Sequence, residues 1–231
     1  MKTVFLKKLK QLKLNKAFSF LFLLAVALNT ASAQQPAFWG DIAAFKKQDS
    51  AAFPGTGKIL FVGSSSFTKW TDVQSYFPSH HIINRGFGGS TLPDVIRYEN
   101  DIIFPYQPKQ IVIYCGENDV AADTATTGAM VFERFKKLFT DIRAKLPGVP
   151  VMFVSLKPSP SRWQMRARSM EANRRIKKYL KKKKHTRFID VWNVMLNEKG
   201  EPREELFIKD RLHMNADGYK IWQALMEPYL L

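Results

Sequence analysis

The chain has 231 residues, 45% of them hydrophobic and 24% charged, with one cysteine and a formal net charge of +16. At about 100–200 residues per domain, that length argues for one main domain, and the ordinary apolar content excludes a disordered or low-complexity chain. A lone cysteine, Cys115, excludes an internal disulfide and a cysteine-rich zinc site.

The positive charge is localised. Residues 1–16 hold six lysines and no acid, the run 17–28 is apolar, and Ala31-Ser32-Ala33 precedes Gln34. A basic start, a short apolar stretch and an A-x-A site are the three parts of a signal peptide, so cleavage after Ala33 and a secreted or periplasmic mature chain are expected. The apolar run is short of the ~20 residues that span a bilayer, so no stable membrane anchor is expected after cleavage. A second excess lies at 161–187, where twelve Lys and Arg stand against one acid, Glu171. This basic helix supports an alternative reading, a binding protein for anionic polymers, although lysines at a helix end are also favoured by the helix dipole. Aromatic residues do not interleave with the lysines, which argues against single-stranded nucleic acid as partner.

Residues 34–57 read as a short amphipathic N-terminal helix and a Pro/Gly linker ahead of a domain at 58–231. Apolar runs of strand length follow at 58–62, 81–84, 110–115, 149–155 and 186–191. Most are apolar throughout, as strands covered on both faces are. Between them Val131, Phe135, Leu138 and Ile142 recur at helical spacing within 128–146, and Trp163, Ala167, Met170, Ile176 and Leu180 mark one face of 161–183. A last helix over 215–230 takes Asn215 as N-cap, with Gly218 as a weak point. Strands alternating with helices predict an α/β fold with a parallel sheet.

In such a sheet the working residues gather in loops at the carboxyl ends of the strands. Those loops read Gly63-Ser64-Ser65-Ser66, Arg85-Gly86-Phe87-Gly88-Gly89-Ser90, Gly116-Glu117-Asn118-Asp119, Lys157-Pro158-Ser159-Pro160 and, beyond the last strand, Asp210-Arg211-Leu212-His213. A serine hydroxyl needs a base, and the base needs a carboxylate that fixes its tautomer. Asp210 and His213, three residues apart, can supply both from one turn of chain. The amides of Ser65 and Gly89 and the side-chain amide of Asn118 can supply donors for an oxyanion. These are the parts of an acyl-transfer site, with Ser64, Ser65 and Ser66 as rival nucleophiles.

Taken together, ILFVGSSS, NRGFGGST, VIYCGEND and DRLHMNADGY resemble, in order, the four motif blocks of the SGNH hydrolases, the GDSL esterase and lipase superfamily. The resemblance implies a three-layer α/β/α sandwich with a five-stranded parallel sheet of flavodoxin-like topology. It implies Ser65, Asp210 and His213 as the catalytic triad, and Ser65, Gly89 and Asn118 as the oxyanion hole. It also selects Ser65 among the three serines and implies a carboxylic ester substrate, on a small molecule or a polysaccharide, with no metal or cofactor. Lipid esters are the alternative substrate within the same fold. Ser64 stands where the family usually has Asp.

Competing motifs fail on single residues. G-x-S-x-G would need glycine at Phe67, and neither G-x-G-x-x-G nor a phosphate-binding G-x-x-x-x-G-K-S/T occurs. His80 and His81 sit at a strand start, away from the carboxyl edge. Cys115 reads as a small buried hydrophobe, and Asn173, on the apolar side of its helix, as a buried residue with its hydrogen bonds satisfied, with a substrate contact as the alternative. Lys157 and Arg162 are candidates for contact with the alcohol part of a substrate, against surface solvation. Between the prolines after the fourth strand and the small polar loop 119–128, little apolar wall is expected for a long acyl tail, which favours acetyl groups on a sugar or other polar alcohol.

Overall fold

The computed structural model describes residues 35–231. The expected signal peptide at 1–33, its cleavage site and Gln34 lie outside the described residues. In chain order the elements are α1 (Trp39–Ala51), β1 (Ile59–Gly63), α2 (Ser65–Thr68), α3 (Val73–Tyr76), β2 (Ile82–Gly86), α4 (Leu92–Ile102), β3 (Gln110–Tyr114), α5 (Glu117–Ala122), α6 (Gly128–Lys145), β4 (Val151–Val154), α7 (Arg166–Leu180), β5 (Thr186–Ile189) and α8 (Ala216–Met226). The five strands form one sheet in the order β2-β1-β3-β4-β5, every neighbouring pair parallel.

Side chains alternate across a strand, and that alternation makes the layers. Leu60, Val62, Ile111, Ile113, Val151 and Phe153 face a core closed by Ile42 of α1, Val95 of α4, Leu138 of α6 and Ile176 of α7. Their neighbours Ile59, Phe61, Val112, Tyr114, Met152 and Val154 face a second core closed by Phe67, Trp70, Val73, Tyr219 and Trp222. The result is the three-layer α/β/α sandwich. Every residue of β1, β3 and β4 is buried, whereas the edge strands β2 and β5 keep partly exposed positions. Continuous apolarity therefore belongs to the inner strands, because an edge strand meets solvent on one side.

Several elements differ from the sequence-based expectation, among them the short helices α2, α3 and α5, the last of which covers the start of the loop expected at 119–128. Helix α4 has no counterpart in it, although Thr91 and Asp94 form a capping box, Pro93 occupies its first turn, and Leu92, Val95, Tyr98 and Ile102 are its buried face. The expected helix over 161–183 is a 3-10 segment, Pro160–Met165, followed by α7. That junction shifts the helical phase, so Ala167 and Met170 are exposed and the buried side is Ser169, Ala172, Asn173, Ile176 and Leu180. Finally, Gly218 is a requirement of packing, not a weak point. A Cβ there would lie 2.7 Å from the Leu206 carbonyl oxygen and 2.8 Å from Met214 Cβ.

Other local readings match the structure. Asn215 caps α8 by accepting from the amides of Asp217 and Gly218. Asn173 is buried, its Oδ1 accepting from the Leu156 amide at 2.8 Å and its Nδ2 donating to the Leu156 carbonyl at 2.9 Å. Cys115 is fully buried. His80 lies just before β2, at the amino edge of the sheet, and bonds Glu227 and the main-chain oxygen of Leu231.

Candidate active site

Parallel strands of matched register deliver their following loops to one edge. β1 ends at Gly63, and Ser64 turns the chain straight into α2, its amide donating to the Tyr114 carbonyl at 2.9 Å and its carbonyl accepting from Phe67 N at 2.9 Å. Ser65 is therefore the first residue of α2, where a backbone N–H has no partner within the helix. Asn84 on β2 pins this turn by donating to the Phe67 carbonyl at 2.7 Å, and Tyr219 of α8 donates to the Ser66 carbonyl at 2.8 Å. Ser64 and Ser66 are 2% and 1% exposed, while Ser65 is partly open to solvent.

The segment before α8 brings up the other two groups. An isolated antiparallel bridge between Phe207 and Met214 closes a tight loop, and Arg211 inside it takes the left-handed φ of 57°. Asp210 Oδ1 accepts from the amides of Leu212 and His213, both at 2.9 Å. Its Oδ2 lies 2.6 Å from His213 Nδ1, and His213 Nε2 lies 2.8 Å from Ser65 Oγ. With the ring proton on Nδ1, set by the carboxylate, the serine hydroxyl donates to Nε2. Burial acts to raise the Asp210 carboxyl, but the hydrogen bonds from the His213 ring and amide and from the Leu212 amide outweigh it and bring its pKa down to about 2.

Gly89 adopts φ 82° in the loop after β2 and is exposed, and Ser90 behind it is buried, its hydroxyl donating to the carbonyls of Phe87 and Gly63. Asn118, in the first turn of α5, donates from Nδ2 to the Ser90 carbonyl at 2.9 Å and accepts at Oδ1 from Arg162 at 3.0 Å. The structure thus gathers all five residues singled out in the sequence at the carboxyl edge of the sheet. Such an arrangement can pass a proton from a serine to an imidazole and present amide donors to a developing oxyanion.

Several residues at this edge carry no sequence signal of their role. Glu117 and Lys157 are 5% and 3% exposed and form an ion pair of 2.6 Å. Lys157 is accordingly neither solvated nor free to meet an alcohol, because its ammonium is committed to a carboxylate inside the protein. Tyr114 and Ser159 also donate to Glu117, at 2.6 and 2.5 Å. Burial would raise the Glu117 carboxyl, yet Lys157 and Arg162 hold it below the usual range, so it is charged. Asp119 is buried as well and accepts from the Leu92 amide and from Arg134, which joins α5 to α4 and α6. A buried pair is invisible to a reading in which each charge is assumed exposed.

The basic stretch lies on α7 and beyond it. Arg174, Lys177, Lys178 and Lys181 line a shallow cavity of about 450 Å³ together with Phe188 and Trp192. Aromatic side chains do accompany these lysines, contributed from β5 and the segment after it, which the linear order of α7 cannot show.

An α/β/α sandwich with a serine, histidine and aspartate hydrogen-bonded in series at the carboxyl edge of its sheet has the parts of a serine hydrolase. Residues 49–221 match the GDSL-like lipase/acylhydrolase family. The chain belongs to that family, and it is a carboxylic ester hydrolase. No curated protein sequence matches it. Among solved structures, a GDSL-like lipase from Bacteroides thetaiotaomicron is similar at 23% identity over 81% of this chain and 95% of that one, with a TM-score of 0.69. The lipase/acylhydrolase from Enterococcus faecalis is similar at 21% identity, 76% and 98% coverage and a TM-score of 0.62. A variant of an acetyl xylan esterase from Geobacillus stearothermophilus is similar at 16% identity, 75% and 94% coverage and a TM-score of 0.59. At these identities the likeness is one of fold.

Proposed function

We propose that the chain is an exported serine esterase that removes short acyl groups, acetyl first, from a carbohydrate or another polar alcohol. The observation that carries the mechanism is the series Asp210 Oδ2, His213 Nδ1, His213 Nε2, Ser65 Oγ, joined at 2.6 and 2.8 Å. Ser65 attacks the ester carbonyl as His213 takes its proton, and Asp210 holds the tautomer and stabilises the imidazolium. The Ser65 and Gly89 amides and Asn118 Nδ2 receive the negative charge of the tetrahedral intermediate. His213 then returns the proton to the leaving alcohol, and water repeats the sequence to free the acid.

The preference for a short acyl group is supported by what surrounds the serine. Ser65 Oγ meets His213, Asn118 and Arg162 are hydrogen-bonded to one another at the same sheet edge, and the loop after β4 is tied down by Lys157 and Ser159 on Glu117, which leaves it unsuited to act as a mobile apolar lid. The acetyl xylan esterase fold relative is in keeping with an acetyl group on a sugar. Values of kcat/KM for acetyl, butyryl, octanoyl and palmitoyl esters of one alcohol are expected to fall with chain length. A maximum at octanoyl or longer would favour a lipid acylhydrolase instead.

Export rests on the 1–33 segment, so the mature protein is expected to begin at Gln34. Mass analysis of the N-terminus of exported protein decides this, and a retained 1–33 segment refutes cleavage.

Asp210 is ionised over the whole range in which the enzyme is assayed. Because the Asp210 pKa is lowered to about 2, that group stays ionised, and its contribution to the folded state persists, until pH falls through that value. Asp210 therefore holds the Nδ1 proton of His213 from mildly acidic to neutral pH, and Asp210→Asn is expected to lower kcat/KM throughout that range. An Asp210→Asn enzyme as active as wild type would remove Asp210 from that role.

A further inference from the structure

The carboxamide of Asn118 is held at both ends. Its Oδ1 accepts from Arg162 Nη2 at 3.0 Å, and its Nδ2 donates to the Ser90 carbonyl at 2.9 Å. A flipped amide would set NH₂ against a guanidinium and an oxygen against a carbonyl, two repulsive contacts in place of two attractive ones. One hydrogen of Nδ2 remains for another acceptor.

Arg162 is itself moored. Its Nη1 lies 3.7 Å from Glu117 Oε1, and its amide donates to the Ser159 carbonyl at 3.0 Å. The adjacent amide of Ser161 donates to the carbonyl of Arg211, inside the loop that joins Asp210 to His213. Glu117 is buried and takes Lys157, Tyr114 and Ser159 as further partners. One carboxylate therefore ties the end of β3, the loop after β4 and the 3-10 segment to the residue that precedes Asn118. A buried ion pair gains little net stability over an apolar pair of the same volume, so its use is more readily sought in orientation.

We propose that Arg162 is a positioning residue for ester hydrolysis: moored to Glu117, it fixes the Asn118 carboxamide so that the free Nδ2 hydrogen faces the oxyanion. This rests on the proposed role of Asn118 as an oxyanion donor. Arg162 touches no reacting atom in this scheme. Its contribution exists only through Asn118, and it applies to the transition state, where the oxyanion forms.

A double-mutant cycle on a neutral aryl acetate, with Arg162→Ala, Asn118→Ala and both together, tests it. Asn118→Ala is expected to lower kcat by about 10² to 10³. Arg162→Ala is expected to lower kcat by about one order of magnitude, less than loss of the donor itself, with KM nearly unchanged. In the Asn118→Ala background, removing Arg162 should change kcat less than about twofold, as expected for groups acting as one unit. Added guanidinium should restore part of the activity of Arg162→Ala. Arg162→Lys, which keeps the charge but cannot fork between Glu117 and Asn118, should stay below wild type, and it carries the test if the alanine variant does not fold. Equal losses from Arg162→Ala in both backgrounds, a change confined to KM, or wild-type kcat in Arg162→Lys and Arg162→Ala would overturn the proposal while leaving Asn118 as donor. An unchanged kcat in Asn118→Ala would instead overturn the donor role, and the proposal with it.

Discussion

Ser65→Ala should reduce hydrolysis of a neutral aryl acetate by roughly 10⁴- to 10⁶-fold in kcat, the range expected when the nucleophile of a triad is removed. Three consecutive serines make this a sharp test. Only Ser65 Oγ reaches His213 Nε2, at 2.8 Å, while Ser64 and Ser66 are 2% and 1% exposed. Ser64 acts through its backbone, joining Tyr114 to the first turn of α2, and the Ser66 carbonyl accepts from Tyr219. Alanine at either position removes a hydroxyl and keeps those backbone bonds, so both variants should hold most of the wild-type kcat. Purified variants assayed side by side, with circular dichroism confirming the fold, decide the matter. Substantial turnover by Ser65→Ala, or loss of turnover in Ser64→Ala alone, would move the nucleophile elsewhere.

Gly63→Ala is expected to be the most damaging single-methyl change near the site. Gly63 has φ 140°, a region that residues with a Cβ rarely enter, and a Cβ built there would lie 2.0 Å from the Tyr114 carbonyl oxygen. That oxygen cannot retreat cheaply, because it accepts from the Ser64 amide at 2.9 Å in the centre of the sheet. Backbone strain of about 1–3 kcal/mol and overpacking of about 1–3 kcal/mol together predict a loss of roughly 2–6 kcal/mol. A urea unfolding series measures it as a lower midpoint. The same displacement would shift Ser64 and Ser65 relative to His213, so the variant should also lose activity at temperatures where it is still folded. An alanine variant within about 1 kcal/mol of wild type would show that β1 and β3 can separate locally.

The two edges of the sheet show how far pattern carries. In β1, β3 and β4 the apolar run and the strand coincide to within a residue or two, since both faces are covered and the same residues meet both constraints. In α4 the signal was present, as a capping box and apolar residues at 92, 95, 98 and 102, but it directly follows the glycine loop and reads as part of it. In α7 the expected face holds at Ile176 and Leu180 and fails at Ala167 and Met170, because the 3-10 turn at Pro160–Met165 breaks the helical phase on which those earlier positions were placed.

What the amino-acid sequence by itself determined is the class of fold and the chemical parts of the site. Strand and helix periods are properties of the local chain, and Ser65, Gly89, Asn118, Asp210 and His213 stand in short motifs whose residue types limit the chemistry they can perform. What only the tertiary structure decided is which groups share a proton or a charge. Ser65 and His213 are separated by 148 positions and meet at 2.8 Å. Glu117 and Lys157, which any exposed-surface reading would leave in water, pair inside the protein at 2.6 Å, and Arg162 then turns toward Asn118. Phe188 and Trp192 likewise join the lysines of α7 only across the gap between helix and edge strand. The physical reason is common to all of these: backbone preferences act over a few residues, whereas burial and hydrogen-bond satisfaction are settled between elements that the sheet brings side by side.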